Sequence, residues 1–136
     1  MPNMRAIELF AGAGGLGMGI SKAGFHPARI VEWDRWCCDT IRENRRAKAG
    51  GIGRWPDPIE GDIRQIDFRG HEGKIDLVSG GPPCQPFSLG GKHRAHADTR
   101  DMWPEAVRVV RETRPKAFVF ENVKGLTRAS FATYLA

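Results

Sequence analysis

The stretch AIELFAGAGGLG, residues 6–17, decides the fold of this 136-residue chain. Its apolar first half is typical of a β-strand, and a cluster of glycines follows at once. Gly12, Gly14 and Gly17 have the spacing G-x-G-x-x-G, which lets a backbone turn sharply from a strand into a helix and approach a nucleotide-like ligand at the helix N-terminus. The alternative is a tight strand-to-helix turn that binds nothing.

Strands and helices alternate along the rest of the chain. Strands are predicted at residues 6–10, 28–32, 75–79 and 117–120, with a weaker one at 58–61, and helices at 16–23, 36–49 and 102–112. The breaker-rich segment 49–58 is predicted to be a loop. Continuous apolar strands indicate a sheet covered on both faces, and this order predicts an α/β fold with a doubly wound, mostly parallel sheet. Because fifteen residues follow Glu121, we expect that sheet to be incomplete at its C-terminal side.

The composition is that of one soluble globular domain. Hydrophobic residues make up 40% and charged residues 27%, and neither a membrane-spanning stretch nor a signal peptide is present. We therefore expect a cytoplasmic protein without a membrane partner, and its three cysteines should be reduced. The net charge of +5 favours a polyanionic partner but does not identify one.

Polar residues follow the second and third strands where a cofactor would lie. Glu32 comes twenty residues after Gly12, and an acidic group at the end of this strand can bind a ribose diol. Trp33 could stack on an adenine, although an isolated tryptophan is more often part of a core. Asp62 could accept a hydrogen bond from an exocyclic amine, or could simply cap a helix. This pattern alone does not distinguish a dinucleotide from S-adenosyl-L-methionine.

The segment GGPPCQPFS, residues 80–88, is the most informative part of the chain. Its prolines restrict the backbone, so that Cys84 is predicted on a rigid loop at the carboxyl end of a strand, where open α/β sheets carry their chemistry. Glu121 ends the next strand and would face the same crevice. A thiol nucleophile and a proton-donating carboxyl suit attack on an electron-poor ring. The alternatives are a buried filler cysteine and a Glu121 that pairs with Lys116 or Lys124.

The chain resembles the front part of the DNA (cytosine-5) methyltransferases from Arg5 to about Leu126. The resemblance lies in the order and spacing of the motifs FAGAGG (10–15), EW (32–33), GDI (61–63), GPPCQPFS (81–88), TRDMW (99–103) and ENV (121–123). The cysteine loop and the ENV triplet are specific to that family when they occur together, whereas the glycine turn is not.

This resemblance implies a function and a set of site residues. Cys84 would add to carbon 6 of a cytosine flipped out of duplex DNA, and Glu121 would engage ring nitrogen 3. Residues that would line the S-adenosyl-L-methionine site are Phe10, Ala11, Gly12, Gly15, Leu16, Glu32, Trp33, Asp62, Ile63 and Pro82. Residues that would contact DNA are Gln85, Ser88, Lys92, Arg94 and Arg100, although their basic segment could also be an ordinary solvated loop. No metal is expected.

The chain differs from the family in extent. After ENV the family continues with an arginine-containing motif, further strands, a target-recognition region and a closing helix, so a fragment or one subunit of a split enzyme is expected. The favoured function is a bacterial restriction-modification methyltransferase with double-stranded DNA as substrate. The alternatives are a non-catalytic cofactor-binding subunit or remnant, a tRNA methyltransferase of the same family, and a nicotinamide-dependent oxidoreductase suggested by the glycine spacing alone.

Overall fold

The computed structural model describes residues 3–83 and 101–124. Five strands and three α-helices alternate in the order that the sequence predicts. The strands are β1 (Met4–Leu9), β2 (Phe25–Glu32), β3 (Ile59–Glu60), β4 (Leu77–Gly80) and β5 (Ala117–Phe120), and the helices are α1 (Gly15–Lys22), α2 (Arg35–Arg46) and α3 (Trp103–Thr113). None of these helices is long and apolar enough to cross a membrane.

The strands form one parallel sheet with the spatial order β3-β2-β1-β4-β5. The chain builds outward from β1 to β3 on one side, then crosses over to place β4 and β5 on the other. The predicted doubly wound α/β sheet is therefore confirmed. Its topological switch point lies between β1 and β4, and ligands bind such sheets outside the carboxyl ends of the strands at that point.

Apolar residues cover both faces of the sheet, as the continuous strands predicted. Because successive side chains of a strand point to opposite faces, the neighbouring β2 residues Ile30 and Val31 enter different cores. The larger core contains Val31 with Ile7, Leu9, Ile63, Phe68, Ile75, Val78 and Val109, and the smaller one contains Ile30 with Ala11, Ile41, Ile52 and Trp55.

The segment after α2 is more ordered than the predicted loop. Residues Ala49–Arg54 form 3₁₀ turns, which reverse at Gly50 and Gly51, where φ is +57° and +80°. The turns bury Ile52 and Trp55 beneath α1, and the Trp55 indole N–H donates to Ser21 Oγ over 2.9 Å. The glycines that suggested a loop are therefore what allow this segment to fold back onto the sheet.

Strand β5 has one sheet neighbour, β4, among the described residues. Its apolar side chains are open to solvent, with Phe118 58% and Val119 50% exposed. Phe120 is better covered, because it packs edge-on against Trp103 of α3 with 5.6 Å between ring centroids. In the described part of the chain β5 is thus an edge strand of the sheet.

Candidate functional site

A cleft of about 730 Å³ opens at the carboxyl ends of the strands. Its walls come from the residues that directly follow β1 to β4 and from the start of α3. The lining residues are Phe10, Val31, Glu32, Trp33, Gly61, Asp62, Ile63, Arg64, Gly81, Pro83 and Met102. The fold therefore brings together Phe10, Glu32, Trp33, Asp62 and Ile63, which are half of the predicted cofactor residues.

Glu32 is the buried acid of the cleft and is 8% exposed. Its Oε1 accepts from the backbone N–H groups of Trp33 at 2.8 Å and Asp34 at 2.9 Å, and its Oε2 accepts from Gly12 N–H at 2.6 Å. Since each carboxylate oxygen can accept about two hydrogen bonds, Oε2 keeps acceptor capacity. Glu32 therefore ties the glycine turn to β2 and can still receive a ligand hydroxyl.

Two aromatic residues border this acid. Phe10 directly follows β1 and has φ of +52°, a left-handed conformation that costs a non-glycine residue on the order of 1 kcal/mol and is concentrated at functional sites. Trp33 lies against the cleft with 74% of its surface exposed, so the core placement considered for it is wrong. An exposed indole next to a buried carboxylate is suited to stack on a flat ring.

Asp62 and Ile63 lie on the third wall, where β3 ends. Asp62 caps a short 3₁₀ turn, Ile63–Gln65, by accepting from Arg64 N–H at 2.9 Å. The Arg64 guanidinium also donates to Asp62 Oδ2 at 2.6 Å and holds the pKa of that carboxyl below its usual range. Asp62 therefore does cap a turn, as the alternative interpretation held, and it lines the cleft as an ionised acceptor as well.

Glu121 lies directly beyond β5, next to the end of β4. Its N–H donates to Gly80 O at 2.9 Å, and a Cβ placed on Gly81 would be 3.2 Å from its Oε2. Lys116 pairs instead with Asp76 at 2.6 Å, at the opposite ends of the same strands. The Glu121 carboxylate is thus beside Gly81, and Gly81 lines the cleft.

Cys84 lies outside the described residues, as do all the predicted DNA contacts, namely Gln85, Ser88, Lys92, Arg94 and Arg100. The described chain reaches Pro83, the residue immediately before Cys84, and Pro83 lines the cleft. It resumes at Asp101, one residue before Met102, which lines the cleft too. Described residues on both sides of the segment that carries these predictions therefore line the cleft.

The other predicted cofactor residues do not line the cleft. Ala11 packs in the smaller core, Gly12 faces Glu32, and Pro82 is buried. Gly15 is exposed at the start of α1, and Leu16 beside it is half-buried.

The glycine spacing serves packing as much as ligand approach. A Cβ on Gly17 would be 2.9 Å from Cη2 of Trp55, and one on Gly14 would be 3.1 Å from Cζ3 of the same ring. Gly14 also has φ of +99°, which favours glycine. These two glycines thus allow the indole to pack against α1, a requirement that the motif alone does not reveal.

Sequence reasoning missed several lining residues. Val31 and Gly61 are neighbours of predicted site residues and could have been found from that adjacency. Arg64, Gly81 and Pro83 lie inside or next to motifs that were recognised. Met102 belongs to the TRDMW motif, but only the packing of α3 against the sheet brings it to the cleft.

The strand order, the glycine turn and the acid at the end of β2 define the Rossmann-like class of α/β folds. Within that class the sequence is decisive. Residues 4–135 match the family model of the C-5 cytosine-specific DNA methylases, and the chain belongs to that family.

Similar proteins include bacterial type II methyltransferases. The chain is 43% identical to M.NgoMIV of Neisseria gonorrhoeae over 95% of its own length and 38% of that protein. It is 46% identical to M.AquIA of Picosynechococcus over 90% of its length and 49% of that protein. The chain thus spans less than half the length of these relatives.

Solved structures agree on the fold. A protein described as a DNA modification methyltransferase encoded within an Escherichia coli prophage superposes with a TM-score of 0.71 at 26% identity, over 96% of this chain and 35% of that one. The Dnmt2 methyltransferase of S. pombe gives a TM-score of 0.62 at 17% identity, over 98% of this chain and 38% of that one.

Proposed function

We propose that this chain is the catalytic front part of an S-adenosyl-L-methionine-dependent enzyme that methylates carbon 5 of cytosine in DNA. The observation that carries the proposal is the cleft itself. It gathers a buried acid, an exposed indole and an ionised aspartate at the ends of two neighbouring strands, and Pro83 leads from it directly into Cys84. Membership of the C-5 cytosine-specific family supports this chemistry.

The cleft residues fit the proposed cofactor. The volume of the cleft falls in the range of about 300–1,000 Å³ that is usual for small-molecule sites. Glu32 Oε2 would accept from a ribose hydroxyl, Trp33 would cover the adenine face, and Asp62 would accept from the exocyclic amine. S-adenosyl-L-methionine, when bound, supplies an electrophilic methyl group on a positively charged sulfur.

The catalytic groups would act from the neighbouring strand ends. The Cys84 thiolate would bond to carbon 6 of cytosine, while Glu121 supplies a proton or hydrogen bond at nitrogen 3 and relieves the charge that develops on the ring. Carbon 5 would then become nucleophilic toward the methyl group that the cofactor supplies. After methylation, transfer of the carbon 5 proton to water and departure of the thiolate from carbon 6 would restore the ring, and Glu121 would take back any proton it gave to nitrogen 3.

We propose double-stranded DNA as the substrate, with the target base rotated out of the stack because its ring is otherwise unreachable. Lys92, Arg94 and Arg100 would neutralise phosphates, and Gln85 and Ser88 would lie near the base. A further segment, on this polypeptide or on a second one, would cover the exposed side chains of β5. The net charge of +5 and the exposure of Phe118 and Val119 support these proposals.

The experiment that tests this function separates binding from catalysis. Calorimetry measures the affinity of the chain for S-adenosyl-L-homocysteine. Transfer of a labelled methyl group to duplex DNA and to tRNA is then measured with and without a polypeptide that carries the family's C-terminal motifs. The proposal expects binding by the chain, transfer to DNA when that polypeptide is present, and no transfer by Cys84→Ser. Binding without transfer in any combination would favour a non-catalytic subunit, and transfer to tRNA alone would favour the other branch of the family.

A further inference from the structure

Arg108, in the middle of α3, bonds to the backbone of the wall that carries Asp62. Its Nη2 donates to Ile63 O at 2.8 Å and its Nη1 donates to Ile66 O at 3.1 Å. These carbonyls bracket the 3₁₀ turn Ile63–Gln65, which Asp62 caps. One guanidinium therefore holds both ends of the turn that begins at the cleft.

Two glutamates of the same helix hold Arg108 in position. Glu105 Oε2 accepts from its Nε at 2.6 Å, and Glu112 Oε1 accepts from its Nη1 at 3.0 Å. The other oxygen of Glu112 accepts from the backbone N–H of Phe68 at 2.9 Å. The guanidinium also lies 5.8 Å from the centroid of the Phe68 ring. Its position and orientation are therefore set by two carboxylates and one aromatic ring.

This network joins two walls of the cleft. Asp62 and Ile63 form one wall, and Met102, at the N-terminal end of α3, forms part of another. The network is also sheltered, because the Arg108 side chain is only 29% exposed and that of Glu112 only 20%. An adjustment of α3 would therefore be passed to the backbone that presents the Asp62 carboxylate.

We propose that Arg108 is a positioning residue of the cofactor site: it sets the distance between the Asp62–Ile63 turn and α3, and so the fit of the Asp62 carboxylate to the exocyclic amine of adenine. This inference rests on the proposed function, since it takes S-adenosyl-L-methionine as the ligand of the cleft. Lysine cannot replace Arg108, because a single ammonium cannot reach two carbonyls and two carboxylates in the plane of a fork.

Two ligands test the proposal. One is S-adenosyl-L-homocysteine, and the other is its analogue in which purine replaces adenine, so that the exocyclic amine is absent. The wild-type chain should prefer the first by roughly tenfold, since a hydrogen bond to a charged acceptor contributes about 1.5 kcal/mol or more. Arg108→Lys should reduce that preference to about threefold or less.

Arg111→Lys is the matched control, because Arg111 is exposed on the same helix and the same change of residue is made. It should keep the wild-type preference. A general loss of folded protein would weaken the binding of both ligands equally. The ratio of the two affinities therefore separates an effect on positioning from an effect on stability. Should Arg108→Lys fail to fold, Glu105→Gln loosens the same guanidinium and should lower the ratio in the same direction.

The outcomes are separable. If the wild-type chain binds neither ligand, the proposed function fails and the inference fails with it. If the wild type binds both ligands equally, Asp62 does not read the amine and the inference is overturned. An unchanged preference in Arg108→Lys, or in a folded Glu105→Gln where the first variant is unfolded, overturns the positioning role and leaves the proposed function standing.

Discussion

Replacing Glu8 by glutamine should change how the stability of the chain depends on pH. Glu8 is 2% exposed in β1, and burial raises the pKa of its carboxyl from 4.5 to about 7, although the hydroxyl of Ser79, which donates to it, acts in the opposite direction. The folded state therefore binds more protons than the unfolded state between these two values. The stabilisation that comes from keeping the Glu8 carboxyl protonated is complete below pH 4.5 and is lost as the pH rises through 7.

The size of this change in stability follows from the pKa shift of Glu8. Each pKa unit corresponds to about 1.4 kcal/mol, so ionisation of Glu8 in the folded state costs about 3 kcal/mol in total. Glutamine keeps the shape and hydrogen-bonding capacity of the protonated acid but does not ionise. We expect Glu8→Gln to match the wild type near pH 4.5 and to exceed its free energy of unfolding by about 3 kcal/mol at pH 8.

Urea unfolding at constant salt, followed from pH 4 to 8, provides the measurement. The difference in free energy of unfolding between variant and wild type is compared at each pH. The contributions of the other titrating groups cancel in this difference to first order. Glu43→Gln is the control, because the same change of residue is made at a side chain that is 66% exposed. Parallel profiles for Glu8→Gln and wild type, or a variant that is less stable at pH 8, would refute the reasoning.

Five further substitutions test the site and the fold. Cys84→Ser should abolish methyl transfer by the complemented enzyme in a radiolabel assay while leaving cofactor affinity nearly intact, because a serine hydroxyl is a far weaker nucleophile than a thiol. Glu32→Ala should weaken S-adenosyl-L-homocysteine binding about tenfold to a hundredfold by calorimetry, the equivalent of roughly 1.5–3 kcal/mol, and unchanged affinity would remove it from the site. Gly17→Ala should lower the unfolding midpoint, because its Cβ would be 2.9 Å from a buried indole, whereas Gly19→Ala, with nothing within 4 Å, should stabilise the chain by about 0.5–1 kcal/mol. Val119→Lys should reduce self-association in sedimentation runs, since a charge on an open strand edge opposes pairing, and an unchanged oligomer distribution would count against β5 as the contact.

Local signals in the sequence were enough for the fold class and for part of the site. Strands and helices follow from runs of apolar residues and from glycine breakers, which act over a few residues, and the observed elements begin and end close to the predicted bounds. Because parallel strands all present their carboxyl ends at one edge, residues directly after them meet there. Glu32, Trp33 and Asp62 could therefore be placed together without coordinates.

The tertiary structure decided what depends on distant partners. Glu8 lay inside an apolar run, and nothing local showed that its carboxylate would be buried against Ser79, 71 residues away. Arg108 is 45 residues from the carbonyl that it holds, and Trp55 is 34 residues from the serine that it contacts. These contacts arise when helices pack against the sheet, and no periodicity along the chain encodes which side chains then meet. The sequence by itself thus determined the fold class and which residues stand at the strand ends, whereas packing decided how the walls of the cleft are held in place.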